Sequence, residues 1–221
     1  MPFPKMALVA QKLLHQPCQD ISSAVQGALE SLELETSAKP GESVAVGVGS
    51  RGISQIPLIV YECVKFLKEQ GLKPFIVPAM GSHGAATAEG QKRVLEHLGI
   101  HETAVGVPIK STLEVVRIAE TDDQIPVYLD KLAAEADHIV LVNRIKKHTE
   151  FDHEFESGLI KMMAIGLGKQ EGAATYHEAM LTYGYPHVLL TVARKVMEHS
   201  NLLFGVASVE NGYGQTAAID V

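Results

Sequence analysis

Ser43-Val44-Ala45-Val46-Gly47-Val48-Gly49-Ser50-Arg51-Gly52 is the stretch that decides the fold. Its first six residues carry no charge and place valines at 44, 46 and 48, so they read as a strand buried on both faces. Pro40-Gly41 supplies the turn before it, and Gly49 to Gly52 form a loop after it. A helix is expected from about Ser54 to Gln70, because Ile56, Ile59, Val60, Cys63 and Leu67 recur at helical spacing and Gly71 stops them.

The alternation continues outward from this unit. Pro74-Phe75-Ile76-Val77-Pro78 is the next strand, and Thr87 caps a helix reaching about Leu98. Ile139-Val140-Leu141-Val142-Asn143 is the third apolar strand, preceded by a helix near Asp130 to Ala136. Helices near Ser157–Ile165 and Pro186–His199 follow, then a strand at Leu202–Ala207. Two runs, Leu113–Ile118 and Ile125–Tyr128, flank a Thr121-Asp122-Asp123 turn and read as a β-hairpin attached to the main sheet. The expected class is α/β, a mainly parallel sheet with helices on both faces, Rossmann-like, with an added hairpin.

Composition narrows the function. With 46% hydrophobic and 20% charged residues among 221, the chain can bury a core and is not a disordered segment. A net charge of -7 with scattered Lys and Arg argues against nucleic acid as a partner. The densest basic cluster, Arg144-Ile145-Lys146-Lys147-His148, is too short to act as a polybasic tail. No apolar run reaches the roughly 18 residues of a membrane span, and the start lacks a signal-peptide pattern, so a cytoplasmic protein without membrane contact is expected. Cys18 and Cys63 have no metal-ligand spacing and suit a reducing compartment. Residues 212–221 resemble the beginning of a strand. We therefore expect residues 1–221 to be one catalytic domain, with a further C-terminal domain absent from the chain.

Ligands of open α/β sheets collect at the carboxyl ends of the parallel strands. Three strand ends deliver distinctive loops here: Ser50-Arg51-Gly52, Gly81-Ser82-His83-Gly84 and Asn143-Arg144-Ile145-Lys146-Lys147-His148-Thr149. Two imidazoles that titrate near neutrality can act as acid and base, and Arg51 offers a planar fork to a carboxylate. The competing reading makes His83 a surface residue and His148 part of a solvated basic loop. Lys161 interrupts an otherwise apolar helix pattern, where loss of solvation would make a lysine a better nucleophile; a lysine snorkelling from the helix edge is the alternative. His177 follows sixteen residues later without an HExxH or cysteine pattern, so spacing alone establishes no metal. His153 lies five residues past His148, and His15, His97, His101, His138, His187 and His199 show no convergent partner. Ser50 and Ser82 are not in a nucleophile elbow. Gly47-x-Gly49-x-x-Gly52 matches the dinucleotide fingerprint in letters but lacks the acidic ribose partner about twenty residues on.

Taken together, these loops resemble the nickel-pincer lactate racemase family over nearly the whole chain, as its N-terminal catalytic domain. Ser50-Arg51-Gly52 stands at the family's Thr-Arg-Pro, Gly81-Ser82-His83-Gly84 at its Gly-Thr-His-Arg, and Lys146-Lys147-His148 at its Glu-Pro-His. Ser157-Gly158-Leu159-Ile160-Lys161 resembles Ser-Gly-Gly-Arg-Lys, and His177 falls on the downstream nickel histidine. The resemblance implies a nickel-pincer nucleotide, that is, a pyridinium-3-thioamide-5-thiocarboxylic acid mononucleotide tethered to Lys161, with Ni bound by His177. His83 and His148 would be the two bases, and Arg51 and Ser50 would contact cofactor or substrate. A small 2-hydroxy acid would lose its α-hydrogen as hydride and regain it on the other face. Cofactor-biosynthesis proteins are implied partners, and a homo-oligomer is left open. The family's Asp-Asp before the arginine is missing, Gly84 replaces an arginine, and Leu159-Ile160 replace Gly-Arg, so the particular hydroxy acid is undetermined. Two other classes remain: a non-catalytic domain that binds a small anion, and a metal-assisted hydrolase or lyase using His83, His148 and His177 directly.

Overall fold

The buried valines of the opening strand organise two cores rather than one. In the computed structural model, which describes residues 6–34, 37–50, 52–147, 152–153 and 155–221, strand β1 (Ser43–Val48) is buried from Val44 onward. Successive side chains of a strand point to opposite faces. Val44, Val46 and Val48 therefore enter one core with helix α1 (Ile21–Glu30) and helix α2 (Ile56–Glu69), through Val25, Leu29, Ile59, Val60, Cys63 and Leu67. Ala45 enters a second core formed by the later helices.

Strand β2 (Lys73–Pro78) pairs parallel with one side of β1, and strand β5 (His138–Ile145) with the other. Strand β6 (Leu202–Glu210) lies parallel to β5, and strand β7 (Thr216–Asp220) closes that edge antiparallel. The order is β2-β1-β5-β6-β7. The expected mainly parallel sheet, covered on both faces by helices, is what forms. Among the described residues no helix is long and apolar enough to cross a membrane.

The hairpin is the point of difference. Strand β3 (Val115–Glu120) and strand β4 (Pro126–Asp130) form their own two-stranded sheet and do not join the main one. The edge at β2 is taken by residues 108–110, with Ile76 N–H donating to Pro108 O and Lys110 N–H to Ile76 O, both at 2.9 Å, and β7 forms the other edge. The hairpin instead turns Val127 and Leu129 into the second core.

Helix α3 (Ala88–His97) has Thr87 as its N-cap, accepting from Gly90 N–H at 3.0 Å. Two short helices, α4 (Glu102–Val105) and α5 (Lys131–Ala134), flank the hairpin. The expected Ser157–Ile165 helix is a short α6 (Leu159–Lys161) running into one π-helical turn at Met162–Gly166. Helix α7 (Lys169–Tyr183) and helix α8 (Tyr185–His199) complete the second layer.

Tyr176 ties α7 to the hairpin. It is fully buried, and its hydroxyl accepts from Tyr128 N–H at 2.8 Å; burial pushes its pKa up to about 12. Tyr176→Phe keeps the ring but strands that amide. We expect a loss of about 1–3 kcal/mol in urea unfolding; unchanged stability would show that the amide finds another partner.

Candidate functional site

The strand order places a crevice between β1 and β5. The chain leaves β1 toward β2 on one side and later crosses to β5 and β6 on the other. At such a switch point, the loops leaving the two central strands diverge and open a cleft at the carboxyl end of the sheet. The loop after β1 brings Ser50, and the loop after β2 brings His83. The two meet: Ser50 Oγ lies 2.5 Å from His83 Nδ1. Arg51 and His148, the other two residues expected at this cleft, lie outside the described residues.

The backbone around His83 is tightly constrained. Gly81 and Gly84 have φ of 60° and 67°, and Ala85 and Ala86 continue at 55° and 49°. A Cβ on Gly84 would fall 2.5 Å from Gln91 N, so only glycine lets this loop lie against α3. Gln91 is fully buried and reaches back into the loop, its Nε2 donating to Gly81 O at 2.7 Å and to His83 O at 3.3 Å. His83 itself is exposed.

The segment carrying Lys161 approaches from the other direction. Asn143, near the end of β5, donates from Nδ2 to Gly158 O at 3.2 Å. The π turn then passes the end of β2, where Gly81 N–H donates to Gly166 O at 3.2 Å and a Cβ on Gly166 would lie 2.9 Å from Ala79 O. Lys161 is half-buried, and its ammonium stands 5.7 Å from the centroid of the Tyr185 ring. It does not enter the core.

The lysine that does is Lys169. Its side chain is fully buried, with Nζ 2.5 Å from Pro78 O, 3.1 Å from Gln91 Oε1 and 2.8 Å from Asp130 Oδ2, and its backbone is left-handed at φ 54°. Burial lowers its pKa below the ordinary lysine value, with the Asp130 charge opposing that shift. Asp130 is equally buried; its Oδ1 caps α5 at Ala133 N–H, 3.0 Å away, and its own N–H donates to Leu167 O at 2.7 Å. Neither Lys169, Gln91 nor Asp130 was singled out from the sequence. Positions 169, 172, 173 and 176 form the buried stripe of α7 at helical spacing, but only Ala173 and Tyr176 among them are apolar, so the pattern does not mark Lys169 as buried.

His177 follows Tyr176 on α7 and is exposed. It stands six residues before the end of α7, about 9 Å along the axis at ~1.5 Å per residue. That end adjoins Tyr185, on whose ring Lys161 sits. Among the described residues no three His, Cys, Asp or Glu side chains gather into a metal cluster. His97 and His199 bond carbonyls of their own helices, and His153 is exposed. His138 and His187 do have partners that the sequence did not suggest, Glu42 at 2.8 Å and Asp123 at 2.6 Å.

Beside the Lys161 segment lies a groove of about 850 Å³ lined by residues including Arg144, Lys146, Lys147, Leu159, Ile160 and Glu210. Arg144 pairs with Glu210, whose other oxygen accepts from Ser54 N–H at 2.8 Å. That bridge fixes the mouth of β5 and β6 against the start of α2. Of the lysines on the rim, Lys147 pairs with Asp152 at 3.0 Å, and Glu156 adds a second carboxylate to the lining, so the groove carries charges of both signs.

The sequence matches the lactate racemase N-terminal domain over residues 6–185. The chain belongs to this family. Among solved structures, it is similar to the lactate racemase apoprotein from Thermoanaerobacterium thermosaccharolyticum, with a TM-score of 0.66 and 18% sequence identity, covering 90% of this chain and 51% of that one. The chain thus spans about half the length of that lactate racemase. A comparison with curated proteins gives no match.

In this family member, His177 is exposed on α7 and packs into neither core. His177→Ala should therefore change unfolding free energy by no more than about 0.5 kcal/mol. A loss well above that in thermal or urea unfolding would assign the imidazole a packing role instead.

Proposed function

We propose that this chain is the catalytic domain of a 2-hydroxy-acid racemase or epimerase of the lactate racemase type. The observation that carries the reading is the Ser50–His83 pair at the switch-point cleft, in a chain whose family match spans residues 6–185. The Lys161 segment is bound to β5 through Asn143 and to the loop after β2, which carries His83, through Gly166.

The side chains present fit a lysine-tethered nickel-pincer nucleotide. Lys161 keeps its amine out of the core, and His177 is an exposed imidazole on the neighbouring helix. Lys161 would hold the group and His177 would ligate its nickel. When bound, the group supplies a reversible hydride acceptor, which no side chain can provide.

The work left to the chain is proton handling and orientation. Loss of hydride from Cα gives a ketone only if the hydroxyl proton leaves as well, and a neutral imidazole is a base suited to that transfer near neutral pH. In the tautomer where His83 Nδ1 donates to Ser50, the basic lone pair is on Nε2. The Ser50 contact holds the ring orientation, and in that tautomer it leaves Nε2 to take the proton. Inversion needs a second base serving the opposite enantiomer, a role we give to His148. Arg51 would grip the substrate carboxylate through its planar fork. Soluble cytoplasmic residence, and dependence on cofactor-making proteins, belong to the same proposal.

The test is co-expression of the full protein with the cofactor-making enzymes, followed by peptide mass mapping and metal analysis. We expect a covalent increment on Lys161, absent in Lys161→Arg, and nickel in equal proportion to protein. Metal without a lysine adduct would overturn the reading in favour of a hydrolase or lyase. Stabilisation by small anions with neither metal nor adduct would overturn it in favour of a non-catalytic binding domain.

A further inference from the structure

We propose that Lys169 and Gln91 are positioning residues that set where the His83 imidazole stands. This deepens the racemase reading, and rests on it only for the role of His83 as a base.

The chain of contacts is short and each link constrains the next. Lys169 Nζ has three donors, and three oxygens surround it: Pro78 O at the end of β2, Asp130 Oδ2 beside α5, and Gln91 Oε1 on α3. A primary amide has one oxygen and one nitrogen at its tip. With the Gln91 oxygen held by the ammonium, its nitrogen must face the other way, into the loop. There it donates to Gly81 O and His83 O, the carbonyls on either side of Ser82. The backbone of His83 is thereby fixed, and its ring arrives at Ser50. A neutral aliphatic side chain at position 169 would remove the hold on the amide oxygen, leaving only the two loop carbonyls to orient the Gln91 side chain.

The same ammonium belongs to the first residue of α7, the helix that carries His177, and only Leu167 and Gly168 separate it from the π turn after Lys161. The segment bearing the proposed tether and the loop bearing the proposed base are therefore referenced to one buried charge.

The test compares Gln91→Leu, Gln91→Glu and Lys169→Met in the full protein without cofactor, reading the His83 ring nitrogens by long-range ¹H–¹⁵N correlation. His83→Gln assigns the signal. Gln91→Glu is the informative variant, because it keeps an acceptor for Lys169 but has no N–H to give the loop. We expect it to fold, and its His83 signals to shift from the wild-type tautomer balance while those of His97 and His199 stay in place. Gln91→Leu should give the same shift, as should Lys169→Met if it folds. Wild-type His83 signals in folded Gln91→Glu and Gln91→Leu would overturn the proposal. On cofactor-loaded protein the expected signature is a fall in kcat with KM little changed. An inactive, adduct-free wild type would sink the racemase reading while leaving the ring-nitrogen result to decide this proposal separately.

Discussion

The buried ammonium of Lys169 is the constraint on which the candidate site depends. Taking a charged pair out of water is costly; replacing one with well-packed apolar side chains is often neutral or stabilising by about 1–4 kcal/mol. The left-handed backbone at Lys169 adds a further cost on the order of 1–3 kcal/mol. A fold selected for stability alone would place an apolar residue there. What the ammonium supplies instead is direction. It fixes the last carbonyl of β2, the amide of Gln91 and the carboxylate that starts α5, all around one point beneath the His83 loop.

Around that point the sheet does the coarse positioning. A parallel sheet with a switch between β1 and β5 delivers three loops to one end, whatever their sequences. Bringing side chains to hydrogen-bonding distance needs closer control, and here it comes from glycines that let backbones touch and from polar groups that tie loop to helix. Gly84 lets the loop press on α3, Gln91 bonds it from below, and Gly166 brings the π turn against the end of β2. The Cys63 thiol illustrates the opposite regime: buried among apolar neighbours, its pKa is pushed up to about 12, which leaves it inert as a nucleophile.

Much of this was legible in the sequence, and for physical reasons. Valines at 44, 46 and 48 announce a doubly buried strand, and the helix after it shows helical spacing, so the parallel sheet follows. Helix α7 was not legible, because its exposed face is mixed and its buried stripe consists of Lys169, Gly172, Ala173 and Tyr176, only two of them apolar in the usual sense. The hairpin was found, but its attachment was misjudged, since sequence does not reveal that residues 108–110 occupy the edge of β2. At the site, Ser50 and His83 stood out through strand-end position and flanking glycines. Lys161 drew attention as a lysine among apolar residues, yet the fully desolvated lysine is eight residues later. Which of two lysines turns inward depends on a π turn and a left-handed residue that local patterning does not announce.

The central claim is that His83, Lys161 and His177 serve one cleft. A crystal structure of the full protein, isolated after co-expression with the cofactor-making enzymes, addresses it most directly. The account predicts density continuous with Lys161 Nζ, a metal bound to His177, and the His83 ring facing that group while still bonded to Ser50. An unmodified Lys161 with His177 turned to a different face of the molecule would contradict it.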